Sequence, residues 1–594
     1  MSRRTPLRPL ASILDARSRG ENPDAIEREN LRLRHEEMRD TARYRAESRI
    51  LVLLFVFAFA FALVGLRMGA LASSEPAEPR ASASGAQIAL QRADILDRRG
   101  HILATNLETH ALYAHPHEMV DPAHAARELA QIFPDLDAAT MERRFTGRSK
   151  FLWIKTNISP EQMQAVHEIG EPGLYFGRRE MRLYPNGPLA AHVLGGAGFG
   201  QQAVDWAEVK GRAGIEQRYD TYLTDPANGA RPLELSLDLT IQAGVEQVLY
   251  GGMKLMNAKG AAAVLMDVKT GELIAIASLP DFDPNDRPAL PTSGHPDDSP
   301  LFNRAVQGVY ELGSTFKIFA AAQAMDLGLV GPQTEIDTRG PIRWGRHRIN
   351  DFHFYGNELT VEKIIVESSN IGTARLAQMI GIDRQKAFLE NLGLFSPTPL
   401  EIVEAKGAAP LIQQNWSELT TMTVSYGHGI SVSPLHLASA YATIANGGTR
   451  VYPTLLKQTT PQKGPRVMSR EAADAARDML RLVVTEGTAS MGEVKGYAVA
   501  GKTGTADKPR PQGGYYKEKV IATFATLFPA NDPRYVLVVT LDEPVETSGP
   551  KPRRTAGWTA VPVTAEVIRR VAPLLGLRPQ IEPAPLLDIT LSTQ

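Results

Sequence analysis

The chain has 594 residues, too many for one compact domain and enough for about two to four. A net charge of −1 leaves no basic surplus that would favour nucleic acid, and 43% hydrophobic residues exclude wholesale disorder. There is no cysteine, which rules out disulfides, thiolate metal sites and a cysteine nucleophile.

Residues 1–49 form a polar arm with twelve arginines and nine acids, with a helix expected from about Asp24 to Arg49. Ile50 to Leu66 is an unbroken apolar run, long enough as a helix to span about 25 Å. It has no polar face, which separates it from a core helix. Met68 to Ala72 complete the span, so residues 50–72 read as a membrane anchor. A cleaved signal peptide is the rival reading, since Ala70-Leu-Ala72 is a small-residue site; the long preceding arm argues against it. Arg39, Arg43, Arg45 and Arg49 flank the run and point the N-terminus to the cytoplasm, with everything after Ala72 outside.

Residues 73–90 are rich in Ser, Ala and Pro and read as a linker. From there to Ala230 the text is mixed, with short strands and one or two helices expected. Leu233 to Leu237 alternates as a strand, and Thr240 to Met256 reads as a helix. Residues 261–268 and 273–279 are buried strands joined by the turn Lys269-Thr-Gly-Glu272, hence a hairpin. Helices are expected near Phe316–Leu327, Val361–Met379 and Pro434–Ala445. Strands return near Tyr497–Gly501, Val520–Phe528 and Tyr535–Leu541, and a helix over Ala560–Leu575 closes the folded part. Strands, helices, then strands again predict an α/β (α+β) domain in which a sheet is sandwiched by helices. Residues 578–594 are a Pro-rich tail.

Three short motifs carry chemistry. Ser314-Thr-Phe-Lys317 opens an apolar helix, where a serine is a natural cap and Lys317 falls on the same face. A hydroxyl attacks well only when a neighbour takes its proton, and a buried lysine beside a second cation becomes neutral enough to do so. A capped helix with a surface lysine is the bland alternative. Ser-x-x-Lys recurs at Ser548-Gly-Pro-Lys551, where Pro550 argues against the same helix. Ser368 and Asn370, two residues apart, would turn a hydroxyl and an amide toward one cleft if extended; a helix-capping pair is the alternative. Lys502-Thr-Gly-Thr505 is flanked by Gly501, so that another backbone can approach the strand and an extended peptide can pair with its edge. Thr503, Gly504 and Thr505 are the expected substrate-binding positions. Lys269-Thr-Gly271 repeats the letters in a hairpin turn and reads as structural. No dinucleotide, P-loop or zinc signature occurs, so neither cofactor nor metal is expected, and His353 and His428 read as structural.

The ordered set resembles class B penicillin-binding proteins. Further stretches carry the likeness: Arg92-Ala-Asp-Ile-Leu-Asp-Arg-Arg-Gly100, Arg178-Arg-Glu-Met-Arg-Leu-Tyr-Pro185, Ala191-His-Val-Leu-Gly195 and Gly214-Ile-Glu216. Ala93 and Leu312 depart from the family's common glycine and proline without moving a reactive group. Gly356-Asn-Glu-Leu-Thr360, Glu367-Ser-Ser-Asn370 and Pro533–Pro544 resemble the division-specific FtsI branch. The resemblance implies a single-pass inner-membrane protein, with a mixed α/β pedestal over 91–232 and a periplasmic transpeptidase domain over 233–577. It implies a serine D,D-transpeptidase that cross-links peptidoglycan stem peptides at the septum and is acylated by β-lactams. With no glycosyltransferase domain read before the pedestal, it also implies a partner glycan polymerase of the FtsW kind, among other division proteins.

On that reading Ser314 attacks the carbonyl between two D-alanines and Lys317 takes its proton. Ser368 and Lys502 protonate the leaving amine, Asn370 holds a substrate carbonyl, and Thr503 and Thr505 hold the substrate carboxylate. The backbone N–H groups of Ser314 and Thr505 are the expected oxyanion donors. An elongation-type transpeptidase, a D,D-carboxypeptidase, a β-lactamase or β-lactam sensor, and an idle division scaffold are the alternatives.

Overall fold

The computed structural model describes residues 14–73, 92–202, 207–228, 230–510 and 512–580. Apart from Ser73, the expected linker lies outside those residues, as does nearly all of the C-terminal tail. One helix, Pro23–Ser73, joins the polar arm to the apolar run without a break. Within it Ile50–Met68 has a mean hydropathy of 2.7 and no buried side chain, which is long and apolar enough to cross a membrane.

The chain divides into two compact units. The first includes residues 113–154 and 165–175. Its helices Pro122–Ile132 and Ala138–Phe145 are each capped by an aspartate, Asp121 and Asp137, and bury Leu129, Met141 and Phe145.

The second unit holds the described residues within 92–112, 155–164 and 176–580, while the Pro23–Ser73 helix falls to the first. Three of the stretches that carry the family likeness converge there on one carboxylate. Glu216 is fully buried and pairs with Arg92 and Arg182, each at 2.7 Å, while the Tyr184 hydroxyl donates to it at 3.2 Å. Arg92 also pairs with Asp220 at 2.7 Å. A buried charge is tolerable only when paired this fully, so removing any member strands the others.

The main sheet of this unit has five antiparallel strands: β1 (Gly260–Asp267), β2 (Leu273–Leu279), β3 (Ala500–Pro509), β4 (Tyr515–Phe528) and β5 (Tyr535–Asp542). Their order is β3-β4-β5-β1-β2, so β3 is an edge strand. Every residue of β5 is buried, which requires cover on both faces of the sheet. Helices Leu239–Leu255, Pro434–Ala445 and Ala560–Val571 contribute that cover. The expected hairpin of β1 and β2 is present, with Lys269 to Gly271 in its turn and Gly271 at a φ of +75°.

Several expectations change. The expected strand over 233–237 shrinks to Leu233–Glu234 beside Ile95–Leu96, with one further bridge from Leu235 to Leu456. The strand expected near Tyr497–Gly501 instead starts at Ala500 and runs through the whole Lys502 motif. Beyond residue 232 the helices Ile382–Asn391, Glu418–Ser425 and Arg470–Thr485 are not anticipated, and before Ala230, where one or two helices are expected, the described residues hold Pro122–Ile132, Ala138–Phe145 and Pro160–Glu168 besides shorter ones. The one helix expected over 361–379 is two, Val361–Val366 and Asn370–Ile380. The break falls at Ser368, whose φ of +62° is a left-handed conformation that an L-residue holds only when its surroundings enforce it.

Candidate active site

Ser314 sits in a short 3-10 turn, Gly313–Phe316, and Lys317 is the first residue of the α-helix Lys317–Asp326. The expected capping role of Ser314 is therefore not found. Leu312 holds the N-cap position of the turn without a side-chain bond, and it is Thr315 whose hydroxyl donates back to the Leu312 carbonyl, at 3.0 Å. A serine spared from capping keeps its hydroxyl for other work. The turn is fixed from below by the buried Tyr441, whose hydroxyl donates to the Thr315 carbonyl at 2.8 Å.

Lys317 is 1% exposed and Lys502 fully buried, and both donate to the Ser368 hydroxyl, each at 3.0 Å. Lys317 also donates to the Ser368 carbonyl. The left-handed turn at Ser368 thus presents two oxygens to one lysine and one oxygen to the other. Burial holds the Lys317 ammonium well below its ordinary value, and the nearby Lys502 charge pushes it further down, against a smaller opposing pull from Asp351. Burial alone brings Lys502 down to about 7. Two desolvated cations around one hydroxyl cannot both keep their charge cheaply, so one of them is available as a neutral amine.

Asn370 opens its helix, and the cap is Ser369, whose hydroxyl accepts from the Gly372 N–H at 2.9 Å. The Asn370 amide donates to the Asn350 carbonyl at 2.9 Å. Asp351, which sequence reasoning missed, organises this corner. It accepts from the Ser369 hydroxyl at 2.7 Å and from the backbone N–H groups of Asn370 and Ile371 at 2.5 and 3.0 Å. A carboxylate at a helix N-terminus is favoured by the unpaired N–H groups there. No local signal marks Asp351, because its partners lie 18 to 20 residues away in the chain.

Strand alternation separates the third motif into two faces. Lys502 reaches Ser368. A Cβ on Gly504 would lie 2.1 Å from the Leu312 carbonyl oxygen, so the close approach that glycine permits is made by the serine-bearing turn of this same chain. Thr503 is buried and shares a hydrogen bond with Thr488 at 2.7 Å. Thr505 is exposed, and its hydroxyl accepts from the Ala556 N–H at 2.9 Å. Replacing Thr505 by valine would therefore strand that N–H as well as delete the hydroxyl, at a cost of about 1–3 kcal/mol.

Glu311, just before the turn, was also missed. It accepts from the Gly429 N–H at 2.8 Å and from the Tyr515 hydroxyl at 3.1 Å, and it pairs with His428 at 3.2 Å. The hydrogen bond to Glu311 raises His428 above its ordinary value. His428 is thus a structural partner of the serine-bearing segment.

A serine on a tight turn, two buried lysines meeting at a second serine, and an open-edged strand are the parts that acyl transfer through a serine would need, which makes this the candidate active site. Residues 261–566 match the family described as "Penicillin binding protein transpeptidase domain", and residues 87–235 match the "Penicillin-binding Protein dimerisation domain". The chain belongs to the penicillin-binding protein transpeptidase family. It is 34% identical over 568 residues, 93% of each chain, to the probable peptidoglycan D,D-transpeptidase FtsI of Caulobacter vibrioides. It is 30% identical to the peptidoglycan D,D-transpeptidase FtsI of Escherichia coli K12, over 77% of this chain and 80% of that one. The crystal structure of penicillin binding protein 3 from Mycobacterium tuberculosis, complexed with aztreonam, superposes with a TM-score of 0.62 at 26% identity. The match covers 85% of this chain and 98% of that one.

Proposed function

We propose that the chain is a membrane-anchored serine D,D-transpeptidase that cross-links peptidoglycan stem peptides at the division septum and is acylated by β-lactams. The observation that carries the mechanism is the meeting of Lys317 and Lys502 at the Ser368 hydroxyl, each at 3.0 Å. Ser314 attacks the carbonyl between two D-alanines, and Lys317, whose charge burial disfavours, takes its proton. The acyl–oxygen bond forms and the carbon–nitrogen bond breaks. The leaving D-alanine amine takes its proton from Ser368, which is resupplied by Lys502. Asn370 and the free edge of β3 align the donor peptide, while Thr503 and Thr505, on the face of the strand away from Lys502, hold its carboxylate and the buried Lys502 supplies charge from behind them. The amine of a second stem peptide then displaces Ser314.

The test is covalent. Treating the full-length protein with penicillin and mapping the adduct by mass spectrometry should place it on Ser314. An adduct on Ser368 or Ser548, or none, overturns the assignment.

In this reading residues 50–72 anchor the chain with its N-terminus in the cytoplasm. Residues 91–232 are a non-catalytic pedestal, and residues 233–577 are the catalytic domain outside the inner membrane. Cross-linking needs nascent strands, so the membrane helix and pedestal dock an FtsW-like glycan polymerase. Replacing Ile50–Leu66 by an unrelated apolar helix should leave penicillin labelling intact and abolish co-purification of the polymerase. Undiminished co-purification would reduce the helix to a tether.

A further inference from the structure

A small hairpin, Ile342–Trp344 with His347–Ile349, projects beside the active site. Gly345 takes the φ of +57° that a type II′ turn asks of its first central residue. Ile342 and Ile349 face each other in register and root the hairpin in an apolar cluster with Ile371, Ala374 and Met422. Arg343 and Arg348 also face each other in register, with Arg346 at the tip. All three are exposed, and none has an acidic partner among the described residues. Like charges directly opposed on a two-stranded ribbon destabilise it unless an anion lies between them. Three and five residues past the hairpin, Phe352 and Phe354 are 84% and 80% exposed. Between the hairpin and the first ring lie Asn350 and Asp351, the pair that holds Asn370 and Ser369.

The geometry points to this arginine and phenylalanine surface as a docking site for a peptidoglycan strand, with stem-peptide carboxylates on Arg343 and Arg348 and sugar rings against Phe352 and Phe354. The inference rests on the transpeptidase reading and adds a binding surface outside the acylation centre. Carboxylates suit the fork of an arginine, and apolar sugar faces suit exposed aromatic rings. Continuity with Asn370 through Asp351 places the docked strand at the rim of the cleft.

The full-length protein in detergent is tested for co-sedimentation with purified peptidoglycan sacculi. Paired substitutions Arg343→Ser with Arg348→Ser, and Phe352→Ser with Phe354→Ser, should each weaken sacculus binding by about tenfold. Penicillin acylation and melting temperature should be unchanged in both. Wild-type binding should also weaken as salt rises, a measurement that needs no variant. Unchanged sacculus affinity in both acylation-competent variants overturns the proposal, as does salt-independent binding of the wild type. If polyglutamate displaces the protein from sacculi while the phenylalanine variant binds normally, the surface serves an acidic polypeptide and the proposal fails. Loss of penicillin acylation by the wild-type protein would instead sink the transpeptidase reading.

Discussion

Lys317→Ala should lower the rate of penicillin acylation by about 10²–10⁴-fold, the usual worth of a positioned general base. The expectation rests on where the amine is held. Lys317 is buried, it touches Ser368, and burial together with Lys502 holds it well below its ordinary value. The sign of the pH dependence follows from the two roles. Lys317 acts when deprotonated, so the wild-type rate should rise as pH climbs through its lowered value. Lys502 supports leaving-group protonation and carboxylate binding when charged, so the rate should fall as pH climbs through about 7. Because both lysines share one hydroxyl, the two limbs belong to the pair and not to either residue. Stopped-flow acylation with a chromogenic β-lactam across pH would check this. The variant should lose the rising limb while its melting temperature changes little. A variant that acylates at the wild-type rate would take the base role away from Lys317.

Much of the geometry of this candidate site could be read from the order of three motifs, and the reason is local. Ser314 and Lys317 are three residues apart on one turn, and Lys502 to Thr505 form one stretch of strand, so spacing alone brings each set together. The apolar run at 50–66 and the strands β1, β2 and β5 were equally legible, because hydrophobic continuity is a property of the chain itself. What the sequence hid was tertiary. Asp351 and Glu311 become visible only when segments up to about two hundred residues apart meet. The break at Ser368 was hidden because Val361 to Met379 has good helical periodicity throughout. Only the left-handed turn at Ser368, with Thr360 and Ser369 capping the two halves, divides it. The missed helix Arg470–Thr485 is strongly amphipathic, with Ala472, Ala476, Met479, Leu480 and Val483 buried. Its many small alanines weaken the apolar signal that larger side chains would have given.

Gly504→Ala should cost about a hundredfold in acylation, since an ångström of misplacement at reacting atoms carries roughly that penalty. The added methyl would sit 2.1 Å from the Leu312 carbonyl oxygen and 2.9 Å from a Thr315 methyl, neither of which can swing away. Leu312 and Thr315 bracket Ser314, so relief of the clash must move this serine, the proposed nucleophile. The turn has no slack on its other side. A Cβ on Gly427 would meet the Gly313 carbonyl oxygen at 2.0 Å, and Gly313 itself is at a φ of +56° against the backbone of Thr505. Three glycines thus let β3, the serine-bearing turn and the 427 loop touch backbone to backbone. Overpacking at such a contact should also lower stability by about 1–3 kcal/mol. Gly251→Ala makes the same chemical change on a helix where the new methyl meets nothing within 4 Å. It should raise stability by about 0.5–1 kcal/mol and leave acylation alone. Comparing the two variants by chemical denaturation and acylation rate separates a packing effect from a methyl effect. If Gly504→Ala acylates as fast as Gly251→Ala, Gly504 is not what sets the position of Ser314, and the substrate-facing role expected of it from the motif becomes the better account of that glycine.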